Sequence, residues 1–287
     1  MNESLLPGWY FAGIAFVMGA CVGSFLNVVI YRIPAGRSVV TPGSTCQCGK
    51  PIPWYNNIPI LSWLFLRGRA ACCGERFSIR YPLVELGTAL LFMQLWIVAG
   101  WPAGVVLMLY GAMMVAVAFI DLDTMEIPDR FSIGGFALGL ILSGSVPAVH
   151  GIDPSGLFVI DAFKGVQASL LGGFVGSGLV LWVALLAEVI LRKEAMGFGD
   201  VKLMGAIGAF CGWQGAVFAF FGGAVLGTIA VVIAWPFMKA RKDSEEGLRI
   251  PFGPALVAGS LLYLLFMRDS VDSYFLTLSE VIHETGP

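Results

Sequence analysis

Long apolar runs divide this 287-residue chain, and they constrain its fold more than any other feature. A helix that crosses a bilayer needs ~20 predominantly apolar residues, because hydrocarbon offers the backbone no other hydrogen-bond partner. On that template the chain crosses about eight times, near 9–31, 82–99, 103–120, 131–147, 168–191, 201–212, 215–238 and 254–268. The 201–212 run is short, and Gly212-Trp213-Gln214-Gly215 separates it from the next. Charged residues make up only 13% of the chain, where a soluble domain carries about 25%. The expected fold is therefore an all-α polytopic membrane protein. Residues 1–32 carry the first span, 33–81 a small loop domain, 82–270 a helical bundle and 271–287 a tail.

Lys and Arg are distributed unevenly about these spans. Alternate loops hold 15 of the 17 basic residues, and only Lys164 and Arg268 fall on the other side. Cytoplasmic loops are the ones that carry such an excess. The 33–81 loop domain is then cytoplasmic, and the N-terminus and tail are external. Met1–Pro7 holds no positive charge before the first run, which argues against a cleaved signal peptide. His150 and His283 read as solvated, as does the mixed-charge segment 239–250. In the first span, Gly23 and Asn27 share a face, a pattern of close helix packing. Trp54, Tyr55, Trp63 and Phe65 suit the membrane–water interface.

Two acidic clusters lie at the ends of apolar runs. One is Asp121-Leu122-Asp123-Thr124-Met125-Glu126-Ile127-Pro128-Asp129, and the other is Gly197-Phe198-Gly199-Asp200. Carboxylates at the edge of hydrocarbon are expensive and mark functional sites. Two that approach closely share a proton; the ionised one can activate water while the protonated one polarises a carbonyl. That is peptide hydrolysis without a metal. In a continuing helix Asp121 and Asp123 point to nearly opposite faces. Asp121, nearest the apolar run, is preferred as the partner of Asp200, with Asp123 and Asp129 as alternative acids. Gly197 and Gly199 would let another backbone approach. The same aspartates could instead serve a proton- or cation-coupled carrier.

Six cysteines are present. Cys21 and Cys211 sit in apolar runs as small hydrophobes. Cys46, Cys48, Cys72 and Cys73 share the loop domain, where zinc or free thiols are expected rather than disulfides.

Several longer stretches carry a resemblance: 23–32 (Gly-Ser-Phe-Leu-Asn-Val-Val-Ile-Tyr-Arg), 53–59 (Pro-Trp-Tyr-Asn-Asn-Ile-Pro) and 80–85 (Arg-Tyr-Pro-Leu-Val-Glu). With Asp121, Ile127-Pro128-Asp129 and Gly197–Lys202, they resemble the type 4 prepilin leader peptidase/N-methyltransferase family from Gly23 to about Pro254. The resemblance implies an integral-membrane aspartic peptidase of the bacterial cytoplasmic membrane. It would cut leader peptides from type IV prepilins or type II secretion pseudopilins at the cytoplasmic face, with Asp121 and Asp200 as the catalytic pair. It also implies methylation of the new N-terminus with S-adenosylmethionine. Its partners would be those precursors and the lipid bilayer, not nucleic acid. The Cys46-Gln47-Cys48 and Cys72-Cys73 spacing departs from the two Cys-x-x-Cys pairs usual in relatives.

Overall fold

A computed structural model describes residues 8–46, 48–192, 196–239 and 251–285. Nine α-helices account for most of them: α1 Gly8–Arg32, α2 Leu61–Phe65, α3 Arg80–Ala99, α4 Ala103–Thr124, α5 Asp129–Ser145, α6 Phe158–Leu191, α7 Phe198–Lys239, α8 Gly253–Leu262 and α9 Arg268–Thr285. Extended pairing among the described residues is limited to two isolated bridges, Thr45 with Pro51 and Arg69 with Arg76. The chain divides into two compact units, Met1–Ile120 and Asp121–Pro287.

Among the described residues, six helices are long and apolar enough to cross a membrane, with α8 and α9 counted as one. One of them, α7, is not straight, because Gly212 adopts φ 72° and ψ 178°. A methyl group at Gly176 of α6 would lie 2.5 Å from the Met204 carbonyl oxygen and 3.3 Å from Ala216 Cβ. A straight helix would hold Met204 and Ala216 ~18 Å apart, so α7 folds back at Gly212 into two limbs. The break read at Gly212-Trp213-Gln214-Gly215 is this reversal. Counting both limbs and the 17-residue α5 restores the eight expected passes.

In the first unit, α1 packs on α3 through small residues. Methyl groups at Gly19 and Gly23 would lie 2.7 Å from the Cα atoms of Ala89 and Glu85. Asn27 Nδ2 donates to the Tyr81 carbonyl at 3.2 Å, so the Gly23–Asn27 face is the packing face. At the end of α1, Arg32 donates to the carbonyls of Ser38 (3.0 Å), Pro42 (2.8 Å) and Gly43 (3.3 Å), pinning the start of the loop domain. Trp54, Tyr55 and Phe65 are exposed as an interfacial belt requires. Trp63 instead covers Gly68 and donates its Nε1–H to the Phe77 carbonyl at 3.3 Å.

The second unit is built on backbone contact. Gly172 of α6 and Gly208 of α7 each sit where a side chain would strike the other's carbonyl. Ser169 donates to the Ala209 carbonyl at 2.8 Å, and Ser177 to that of Val201 at 3.0 Å. On the second limb of α7, Gly223 lies against the Ala255 carbonyl of α8. A π-helical turn, Tyr263–Met267, joins α8 to α9, and Phe275 of α9 packs on Trp213 with ring centroids 4.7 Å apart.

Two expectations are corrected here. Helix α6 begins at Phe158, about ten residues before the apolar run that marks it. The hydropathy template cannot register its opening turns, which carry Asp161, Lys164 and Gln167; Asp161 accepts the Ser155 N–H at 3.0 Å. His150 is half-buried rather than solvated, with Nε2 2.9 Å from Ser143 Oγ. Burial, with the Arg268 charge beside it, holds His150 down to about 4, so it is neutral at physiological pH. The side chain of His283, segment 240–250 and Met1–Pro7 lie outside the described residues.

The glycine contact between α6 and α7 is testable. Gly172→Ala should lower stability by ~1–3 kcal/mol through overpacking. Gly178→Ala on the same helix, where nothing lies within 4 Å, should be neutral or slightly stabilising. Thermal unfolding of both variants in detergent distinguishes them, and equal midpoints would exclude backbone contact as the basis of this packing.

Candidate active site

Three helix ends converge in the second unit. Asp121 lies in the last turn of α4. That helix closes with Met125 in a left-handed conformation (φ 56°), its N–H bonded to the Asp121 carbonyl at 2.9 Å. Pro128 then sets the extended entry to α5, and Asp129 occupies its first turn. Asp200 lies in the first turn of α7, with its N–H bonded to the Gly197 carbonyl at 3.1 Å. Asp121 is 5% exposed and Asp200 8%.

The third end is the start of α8. The Gly253 N–H donates to Asp121 Oδ2 at 3.0 Å. Pro254 has no N–H to offer, so Asp121 caps a different helix from the one that carries it. A methyl group at Gly253 would lie 2.5 Å from Asp121 Oδ2. The amide dipoles at the start of α8 favour negative charge on Asp121, and those at the start of α7 favour it on Asp200. Ile127 packs beside Gly199 and Gly253, at 3.4 Å from a methyl group placed on either, and so links the two acidic segments.

The other acids of the first cluster stand apart. Asp123 is exposed, on the face opposite Asp121. Asp129 is bound to Lys202 Nζ at 2.7 Å, an ion pair that fastens the start of α5 to the start of α7. Among the described residues, a methyl group at Gly197 would meet only Asp200 Oδ2 at 3.8 Å and the Gly199 nitrogen at 4.0 Å. Gly199 meets the Ile127 side chain rather than a backbone. Sequence reasoning missed Gly253. Its only signal is a glycine before a proline at a helix start, which ordinary capping explains equally well.

The four loop cysteines converge in the first unit. Their sulfurs lie within 4.8 Å of one another, paired crosswise as Cys46–Cys73 at 3.5 Å and Cys48–Cys72 at 3.4 Å. Left-handed glycines, Gly49 (φ 82°) and Gly74 (φ 72°), turn the chain back after each cysteine pair. The Lys50 amide and the Cys72 thiol bring Cys48 down to about 7. The Cys46 and Cys48 sulfurs push Cys72 up to about 12. Four sulfurs at about 2.3 Å from a tetrahedral ion stand ~3.8 Å apart, so the cluster fits a metal despite its irregular spacing.

A profile of the Bacterial Peptidase A24 N-terminal domain matches residues 17–99, and one of the Type IV leader peptidase family matches 107–232. A prepilin leader peptidase/N-methyltransferase from Myxococcus xanthus (strain DK1622) is 39% identical over 86% of this chain and 73% of its own length. This chain belongs to the type IV leader peptidase family. Relatives of the same name from Pseudomonas putida (35%; 90% of this chain, 91% of the relative) and Klebsiella pneumoniae (37%; 74% and 93%) agree. No solved structure matches. The peptidase-family match spans both acidic clusters, and the N-terminal match spans the cysteine loop. As a member of this family, with six apolar helices of spanning length, the protein is a multi-pass membrane enzyme.

Proposed function

We propose that this enzyme cleaves leader peptides from type IV prepilins or type II secretion pseudopilins with Asp121 and Asp200, and N-methylates the new amino terminus. One observation supports the peptidase reading: two buried carboxylates lie at helix ends joined through Ile127, one of them held by the Gly253 amide. The pair shares one proton. The ionised carboxylate takes a proton from water as the water oxygen attacks the peptide carbon. The protonated carboxylate donates to the carbonyl oxygen and polarises it. Collapse of the tetrahedral adduct breaks the C–N bond, and the leaving amine takes a proton from the pair. Gly197, which carries no side chain, is where an extended substrate would approach. S-adenosylmethionine supplies the methyl group for the second reaction. A carrier working through the same aspartates has no support in the three relatives above, which bear a peptidase name.

In a prepilin-shortening assay, Asp121→Asn and Asp200→Asn should each abolish cleavage, while Asp123→Asn and Asp129→Asn remain active. Gly253→Ala should lose about a hundredfold, because a displacement on the order of 1 Å at the reacting groups is worth that much. Gly134→Ala, whose added methyl has no neighbour closer than 3.9 Å, should cleave normally. Full cleavage by either Asn variant at 121 or 200 would exclude this mechanism.

The asymmetry of Lys and Arg supports a topology with the aspartates and the cysteine loop on the cytoplasmic side and the N-terminus outside. A reporter fused after Arg69 should read cytoplasmic and one near Gly156 external; the reverse would leave the proposed substrate out of reach.

The cysteine cluster holds one zinc ion, which staples a loop domain too small for a large core of its own. Purified protein should contain about one zinc per chain. Replacing all four cysteines with serine should release it and impair methyl transfer more than cleavage. Metal-free protein with an ordered loop would exclude the zinc site.

A further inference from the structure

Arg32, the last residue of α1, is the one charged side chain on the wall of a cavity of about 330 Å³ in the first unit. It donates to the carbonyls of Ser38 and Pro42 from Nη1 and to that of Gly43 from Nη2. A guanidinium has five N–H donors, so Nε–H and one Nη2–H remain unspent. The three carbonyls fix the guanidinium in place without cancelling its charge. Among the described residues no carboxylate pairs with it.

Away from Arg32 the same wall turns apolar. Cys21, Phe25 and Val28 line the cavity at helical spacing, so one face of α1 carries a stripe ~16 Å long that runs into the cation. Val39, Val40 and Pro42 of the loop domain also line it. Cys21 and Phe25 are exposed, so the stripe continues outward rather than ending inside the fold. Helix α1 has 25 residues. Such a helix is ~37 Å long, against ~30 Å of hydrocarbon, so Arg32 reaches headgroup level while Cys21 stays within the acyl chains. The nearby acid Glu85 of α3 accepts the Ile60 N–H at 2.6 Å and does not line the cavity. It meets the wall only through Ser24, which hydrogen-bonds to it and lies ~12 Å along α1 from Arg32.

We propose that this cavity binds an anionic phospholipid, its phosphate on Arg32 and the first carbons of its acyl chains along Val28, Phe25 and Cys21. The volume holds a headgroup and the start of the chains, and the remainder lies in the bilayer. Ser44 and Asn57, which also line the cavity, can hydrogen-bond the phosphate or the glycerol. Basic pockets at the membrane face of spanning helices take such headgroups. A free phosphate shares the anion but leaves the apolar stripe unmet. Seated here, the lipid touches α1 and the 39–44 segment together, and so braces the loop domain against the membrane.

The test titrates purified full-length protein in detergent with phosphatidylglycerol, with zwitterionic phosphatidylcholine and with glycerol 1-phosphate, and follows the first lipid bound by native mass spectrometry. Phosphatidylglycerol should bind more tightly than phosphatidylcholine, and an equal concentration of glycerol 1-phosphate should not displace it. Other basic residues also attract anionic lipid, so the deciding variants are at Val40, which lines the cavity and, at 79% exposed, accepts a polar side chain without disturbing a core. Val40→Asp adds a carboxylate to the cavity that holds Arg32. It should weaken phosphatidylglycerol binding roughly fivefold, the worth of one basic residue facing an anionic leaflet. Val40→Asn, of nearly the same shape without the charge, should bind as wild type does. So should Leu64→Asp, at an exposed position of α2 outside the cavity. Wild-type binding by Val40→Asp, or an equal loss in either control, would overturn the site. Displacement of the lipid by an equal concentration of glycerol 1-phosphate would make the guest a free phosphate and overturn the lipid assignment.

Discussion

Backbone touching backbone is the constraint on which the second unit depends. Where helices meet in hydrocarbon, the hydrophobic effect contributes little to their association, so close packing and hydrogen bonds must supply it. Between α6 and the first limb of α7 the close approach is made by Gly172 and Gly208, and Ser169 and Ser177 hydrogen-bond directly to carbonyls of the facing helix. The α7–α8 contact repeats the device with Gly223 and Gly259. These contacts hold α6, α7 and α8 together, and the aspartate-bearing start of α7 and the capping end of α8 are held with them.

The candidate site draws its polarity from those same ends. A carboxylate taken out of water needs oriented donors, and a helix start offers them without adding a charged side chain. Asp200 begins α7, while Asp121 reaches across to the start of α8. Asp129 and Lys202 neutralise one another, so this acid is paired with a cation where Asp121 is held by a backbone amide. The first unit handles its buried Glu85 differently, with the Ile60 amide and the Ser24 hydroxyl as its hydrogen-bond partners.

Much of this was legible in the residues. Hydropathy gave the passes, including the reversal at Gly212, because apolar length and a glycine-flanked interruption are local properties. Periodicity set Asp121 and Asp123 on opposite faces and nearness to the apolar run favoured Asp121; the structure buries the first and exposes the second. The start of α6 was not legible, since helix formation there is a backbone matter and its polar opening turns hide it from an apolar template. The roles of Gly253 and Glu85 were not legible either. Each depends on a contact across many positions, 132 residues for Gly253 with Asp121 and 25 for Glu85 with Ile60, and nothing local announces a long-range bond. The cysteine spacing looked unfavourable in the linear chain, yet the turns at Gly49 and Gly74 bring the sulfurs together.

The glycine seam between α6 and α7 also acts as an alignment key. Gly208 and Asp200 ride on the same short limb, so the depth at which Gly208 seats against Gly172 fixes the depth of the acid. A slip of one turn along the seam would carry Asp200 about 5.4 Å along the helix axis, well beyond hydrogen-bond reach of any group placed to meet it. The position of a buried acid is in this way gauged by two residues that have no side chains at all.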